Sequence, residues 1–359
     1  MIEYRQIDTG KAGSFCEKLF MAYGFTAEES KTITGVLIRA DLYGIESHGV
    51  QRLVRYHDEI TSGQVDIRAK PQIVTESGIS AVIDANKAMG QLAGVYAMKL
   101  AIRKARENGC GMVTVRNSNH YGIAGYYAEM ALAEDFIGVS MTNTEAICVP
   151  TFGSQAMTGT NAIALSMPAD PVAFSYDAST TVVPRGKLEV YRKNGQPLPD
   201  LWALDANGKP CTDAAEVIEN IIHKAGGGIA PLGGAGILHG GHKGYGLGVI
   251  VDLFTAVISS GLTSNYVNRK KDHTGICHYF TAIDYGIFGD RKIIKENMSK
   301  FLQELRDSKK AEGHERIYTH GEMEAHLMAQ RKNSTIPVNE KTMEEMKNIA
   351  GKLGVDFIE

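Results

Sequence analysis

The sequence predicts an α/β fold, and three observations carry that expectation. Short β-like runs alternate with helix-period stripes through the middle of the chain, the pattern of a sheet covered by helices. Helical periodicity occupies both ends. The dinucleotide fingerprint GxGxxG is absent: Gly234-Ala235-Gly236 meets His239 at the sixth position, and Gly244-Tyr245-Gly246 meets Val249. A Rossmann domain is therefore not expected.

The elements follow in order. Thr26 and Glu29 form a capping box, and Ile33, Val36, Leu37 and Ala40 recur behind it at helical spacing. The polar stretch 61–71, with Gly63 and Pro71, marks a domain boundary. Residues 81–84 read as a strand. Leu92, Val95, Met98, Ile102 and Ala105 then line one helix face ending at Gly109. A strand at 112–115, a loop at 116–122 and a helix from near Ala124 come next, followed by strands at 137–141, 162–167 and 172–176. Beyond Asp284 the stripes Ile293/Ile294/Met298/Phe301/Leu302/Leu305 and Met343/Met346/Ile349/Leu353 are helical, the second after the start signal Pro337-Val338-Asn339. The expected domains are 1–75, 76–289 and 290–359, with the last segment able to return onto the first.

Composition narrows the function. At 359 residues the chain exceeds one ordinary core. Hydrophobic residues at 43% and charged residues at 22% exclude disorder. A net charge of −3 without a Lys/Arg run excludes a nucleic-acid surface. The N-terminus lacks the segments of a signal peptide. The longest apolar run, 247–258, is interrupted by Asp252 and too short for a bilayer. Cys16, Cys110, Cys148, Cys211 and Cys277 contain no CxxC pair, which points to reduced thiols and a cytoplasmic protein.

Five segments carry candidate chemistry. In Ser47-His48-Gly49-Val50-Gln51-Arg52, a proton-exchanging His precedes by four residues an Arg that can grip a carboxylate. If the stretch is α-helical, both groups share a face; the alternative is a satisfied His and a solvated Arg. The loop from Arg116 through Asn117, Ser118, Asn119, His120 and Tyr121 to Gly122 follows an apolar strand, where scaffolds display reactive groups. A self-bonded turn is its alternative. Asn143 and Thr144, with Gly159-Thr160-Asn161, can present backbone amides to an anion. Asp177 at a strand end suits ribose hydroxyls or a helix cap, and the hydroxyls of Ser179, Thr180 and Thr181 with Lys187 suit a pyrophosphate. Gly240-Gly241-His242-Lys243-Gly244 opens an apolar helix whose amides can meet a phosphate. His239 and His242 form an HxxH pair with His273 and His278 downstream, so a metal-dependent hydrolase is a rival reading, weakened by glycine-rich surroundings that offer the ligands little support. A non-catalytic binding protein is another.

Together these segments resemble the malate/L-lactate dehydrogenase family that lacks a Rossmann fold and includes ureidoglycolate dehydrogenase, diketogulonate reductase and sulfolactate dehydrogenase. The resemblance runs through residues 40–50, 117–127, 159–161, 177–180 and 243–247, in order. It implies a discontinuous helical domain built from both chain ends, against a cofactor domain with a mixed or antiparallel sheet. It also implies a homodimer and hydride transfer between NAD, or NADP, and a small 2-hydroxy acid. Malate is the expected acid; lactate, sulfolactate and ureidoglycolate are alternatives. By the resemblance, His120 and His48 are catalytic, with His120 favoured as proton carrier. Arg52 holds the carboxylate, with Ser47 and Thr144 beside the substrate. Asp177, Ala178, Ser179, Lys243, Gly244 and His278 contact the cofactor, and no metal is called for. The chain departs from the family pattern at Ala162, at Asp177-Ala178-Ser179 and at Thr319-His320-Gly321-Glu322.

Overall fold

The computed structural model describes residues 4–269 and 274–358. The chain opens with β1 (Tyr4–Asp8), α1 (Thr9–Tyr23), α2 (Ala27–Leu42) and α3 (Leu53–Thr61). The central region runs β2 (Gln72–Glu76), β3 (Ser80–Asp84), α4 (Gly90–Asn108), β4 (Cys110–Ser118), α5 (Gly125–Leu132), β5 (Ile137–Thr142), β6 (Ala162–Met167) and β7 (Phe174–Ala178). A small lobe follows: α6 (Arg185–Asn194), β8 (Ala203–Leu204), α7 (Ala214–His223) and β9 (Gly228–Ile229). Then come α8 (Gly241–Asp252), β10 (Ile276–Ile283), α9 (Arg291–Asp307), α10 (Glu322–Arg331), β11 (Thr335–Asn339) and α11 (Glu340–Leu353).

The large sheet has seven strands in the order β2-β3-β4-β10-β5-β6-β7. Only β3 and β4 pair in parallel; the other neighbours are antiparallel. That mixed sheet is the expected non-Rossmann arrangement. Its core packs α4 and α5 on β3, β4, β6 and β10 through Ile83, Ala97, Met98, Val113, Tyr127 and Phe280. Alanine dominates the α4 face (Ala93, Ala97, Ala101, Ala105), letting helix and sheet approach closely.

The two chain ends share one core. Phe15, Leu19, Phe20, Ile33 and Leu37 pack with Ile336, Val338, Met346 and Ile349. A two-stranded sheet also joins them, with Tyr4 opposite Asn339 and Asp8 opposite Thr335. The sequence reading of the first 70 residues was wholly helical and missed β1, whose side chains are exposed except Ile7. No alternation advertises such a strand. Pro337 sits in its partner, a two-stranded edge where a missing amide is tolerated, and Asn339 then caps α11 by accepting from Thr342 N at 2.9 Å. Thr26 and Glu29 make both bonds of the capping box. α9 belongs to neither core: of its stripe only Leu302 is buried, and Arg291 fastens the helix to Asp135 and Asp284. The α6–α7 lobe has its own cluster of Leu188, Leu198, Val217, Ile218 and Ile229.

Candidate active site

The segment carrying His48 and Arg52 is not an α-helix. It forms two 3-10 turns, Glu46–His48 and Val50–Arg52, after the end of α2. Buried Asp41 holds the second turn by accepting from Val50 N at 2.8 Å. Arg52 folds back so that its Nε donates to the Ser47 carbonyl at 2.5 Å. The expected juxtaposition of imidazole and guanidinium is met by a different backbone.

β4 runs on through Ser118, three residues into the expected loop. The loop after it delivers His120 to His48: their rings stack with centroids 5.5 Å apart and planes 27° apart. α4 packs against the His120 backbone at Gly90, where a Cβ would meet the His120 carbonyl oxygen at 2.4 Å. Only glycine permits that approach. It brings in Gln91, whose Nε2 donates to Tyr56 Oη at 2.8 Å, while Tyr56 Oη lies 2.9 Å from His120 Nδ1. Ser47 Oγ lies 3.0 Å from His48 Nδ1. In both histidines Nε2 has no protein partner among the described residues.

Electrostatics keep both imidazoles neutral. His48 is pushed down to about 3 by burial, then by Arg52 and Arg55. His120 is held well below its ordinary value by burial, then by Arg55, His48, Arg52 and His278. A neutral imidazole whose Nε2 carries no protein hydrogen bond can take a proton, and imidazolium can return it. Tyr56, Gln91 and Arg55 join the site without having stood out in the sequence. Arg55 and Tyr56 were findable as the next residues along the face begun by Arg52.

Other candidates divide into two groups. Asp177 lies within β7, and its Oδ2 accepts from Gly125 N at 2.7 Å, so it caps α5 rather than a following helix. Its side chain stays open to solvent although protein surrounds it. Burial raises its carboxyl to about 6 against the lowering effect of Gly125 N–H. Ser179 is half-buried, its Oγ donating to the Thr181 carbonyl at 3.3 Å, and Ala178 closes β7. Between them and α8 stands Leu232, bonded through its N to Thr180 O at 2.9 Å. Lys243 is exposed in the first turn of α8, whose N-cap Gly240 supplies no side-chain cap. Gly244 is buried, and a Cβ there would meet Leu232 O at 2.2 Å. A cleft of about 490 Å³ lined by Leu232, Gly233, His239, His242, Lys243 and Gly244 covers this end.

The second group is consumed by structure. His278 is fully buried, with Nδ1 2.8 Å from Thr142 Oγ1, Nε2 2.9 Å from Ser118 Oγ, and Tyr121 stacked on it at 4.3 Å. Both ring nitrogens are bonded within the protein, so the expected cofactor contact of His278 has no free ring nitrogen in this arrangement. Asn143 and Asn161 belong to a buried cluster around Asp252, which accepts from Asn143 Nδ2, Asn161 Nδ2, Ser264 N and Ser264 Oγ at 2.8–3.1 Å. Asn161 also reaches Thr144 N at 3.2 Å and so places Thr144, which is only half-buried. Asp252, read at first as a break in an apolar run, is the lone charge that this run buries. For the metal rival, no group of three His, Cys, Asp or Glu residues able to hold an ion exists among the described residues. His239 and His242 are exposed, and His273 lies outside the described residues.

A family model described as malate/L-lactate dehydrogenase matches residues 7–347. The chain belongs to this family of 2-hydroxy acid dehydrogenases. It is 42% identical over 354 residues to a malate dehydrogenase of Pyrococcus horikoshii, covering 98% of this chain and 97% of the relative. It is 35% identical over 343 residues to an L-sulfolactate dehydrogenase of Methanocaldococcus jannaschii, covering 94% and 95%. The crystal structure of malate dehydrogenase from Entamoeba histolytica superposes with a TM-score of 0.94 at 33% identity, covering 99% of both chains. Membership in this family displaces the hydrolase and binding-protein readings.

Proposed function

We propose that this family member is a nicotinamide-dependent dehydrogenase interconverting malate and oxaloacetate. The observation that carries the reading is the stacked pair of neutral histidines, each with an unpartnered Nε2, beside the guanidinium of Arg52. Malate is preferred because malate dehydrogenases stand among the relatives of high identity and near-complete coverage.

A nicotinamide dinucleotide fits the open residues at the end of β7 and the start of α8. The uncapped start of α8, Lys243 and the glycine-lined cleft suit a pyrophosphate, and Asp177 and Ser179 suit ribose hydroxyls. When bound, it supplies the hydride acceptor and donor. The protein's own work is alignment and one proton. Arg52 grips the substrate carboxylate and fixes the carbinol carbon, with Ser47 and Thr144 flanking. Nε2 of His120 takes the hydroxyl proton in oxidation and returns it in reduction. Of the two neutral tautomers of His120, the one that donates from Nδ1 to Tyr56 Oη leaves the Nε2 lone pair free for this step. His48 screens the pair from solvent and orients it.

The homodimer reading is supported by an exposed apolar row along α8 and the π-helical turn Leu253–Val257: Leu247, Ile250, Leu253 and Val257. Five unpaired cysteines fit a cytoplasmic enzyme. Among the described residues no helix is long and apolar enough to cross a membrane. The test is a panel of oxaloacetate, pyruvate and sulfopyruvate, each with NADH and NADPH, with light scattering for the dimer. Turnover fastest on oxaloacetate is expected; no turnover of any 2-keto acid with either nucleotide overturns the proposal.

A further inference from the structure

Two guanidinium groups, not one, border the histidine pair. Arg52 is the N-cap of α3 and Arg55 lies one turn further, so the side chains leave neighbouring points of one helix surface. Both are held alike. Nε of Arg52 donates to the Ser47 carbonyl at 2.5 Å, and Nε of Arg55 donates to Glu59 Oε1 at 2.7 Å. In each, the terminal amino groups have no protein partner among the described residues. Arg55 keeps 32% of its side chain exposed while Glu59 is 8% exposed, so the fork points outward from a buried anchor. The adjacent residue, Tyr56, is the one bonded to His120. The Arg55 charge also bears on both imidazoles, and at His120 it ranks ahead of Arg52.

The bland explanation is a helix-stapling ion pair between residues four apart. Such a pair contributes little to stability, a small return for setting a second like charge next to Arg52. Glu145 acts on Arg55 through space but makes no ion pair with it, its contacts being Arg185 at 3.6 Å and Asn268 at 3.3 Å. Glu59 answers one of the two positive charges. One substrate carboxylate on Arg52 answers the arrangement only if the second fork has an acid of its own.

We propose that Arg55 receives the second acidic group of the substrate, one methylene beyond the carbinol carbon, and so selects diacids over monoacids such as lactate. Its terminal amino groups present the planar fork that matches a carboxylate or a sulfonate. The inference rests on the function proposed above and assigns the feature that separates malate and sulfolactate from lactate to one side chain.

The experiment measures kcat and KM for malate, sulfolactate and lactate in the wild-type enzyme and in Arg55→Gln and Arg55→Lys, with the preferred nicotinamide. Inhibition constants of the matching keto acids replace kcat/KM for any acid turned over too slowly. Arg55→Gln should lower the malate-to-lactate ratio of kcat/KM about ten- to hundredfold, chiefly through KM. Arg55→Lys should recover part of that ratio, because charge returns without the fork. An equal fall for sulfolactate and malate assigns Arg55 to either acid; a fall for one alone narrows the site to it. An unchanged ratio, or equal loss on diacids and lactate in both variants, overturns the inference. A wild-type enzyme inactive on every 2-hydroxy acid instead overturns the function proposed above.

Discussion

The histidine–arginine cluster and the Asp252 cluster are built alike and do opposite things. Both gather polar side chains from distant parts of the chain, and both draw on motifs that looked functional in sequence. Around Asp252 every strong acceptor is spent: two asparagines and Ser264 fill both carboxylate oxygens. Around His120, hydrogen bonds fix the rings on one edge only and leave Nε2 atoms and guanidinium forks open. The same contrast separates His278, bonded at both nitrogens, from His120. A buried network with its valences filled stabilises the fold. One with valences left over on a single side is arranged for a ligand.

Mutations can break this contrast. His120→Asn should lower kcat by about two to four powers of ten, measured in both reaction directions, with melting temperature nearly unchanged. Arg52→Ala should weaken substrate by ~2–5 kcal/mol, read as KM with kcat less affected. If either variant loses stability instead of activity, the cluster is structural. Asp252→Ala should do the reverse. It orphans buried amides and should cost about 3 kcal/mol of stability, seen in thermal unfolding, while activity at low temperature stays within a few fold. A melting temperature equal to wild type would remove the distinction.

Smaller effects sharpen the same point. Tyr56→Phe should reduce kcat about tenfold, since it removes the partner of His120 Nδ1, and should leave KM close to wild type. The pH profile carries a sign. Oxidation needs neutral His120, whose value is held well below the ordinary histidine range by burial and Arg55. The acid limb of kcat/KM for oxidation should therefore lie below about 6.5. Reduction needs imidazolium and should quicken as pH falls over the same span. An oxidation limb above that value would argue against a depressed base.

Much of the fold was legible residue by residue. The capping box at Thr26 and Glu29, the cap at Asn339, the apolar helix opened by Gly241 and most strands of the sheet follow from local pattern. So did the residue types of the site, His48, Arg52 and His120. The backbone that presents them was not legible: helical spacing placed His48 and Arg52 on one α-helix, whereas two 3-10 turns pinned by Asp41 bring them together.

The amino-acid sequence by itself determined the class of fold, the family and the residues with reactive groups, because these depend on periodicity and on side-chain chemistry. Only the tertiary structure decided which of those groups remain free. Motif polarity was equal at His120, His278, Asn143 and Asn161, yet three of the four are used up in bonds within the protein. Spare hydrogen-bonding capacity belongs to a neighbourhood in space, and the neighbours of Arg55 and Asp252 come together only when the chain is folded.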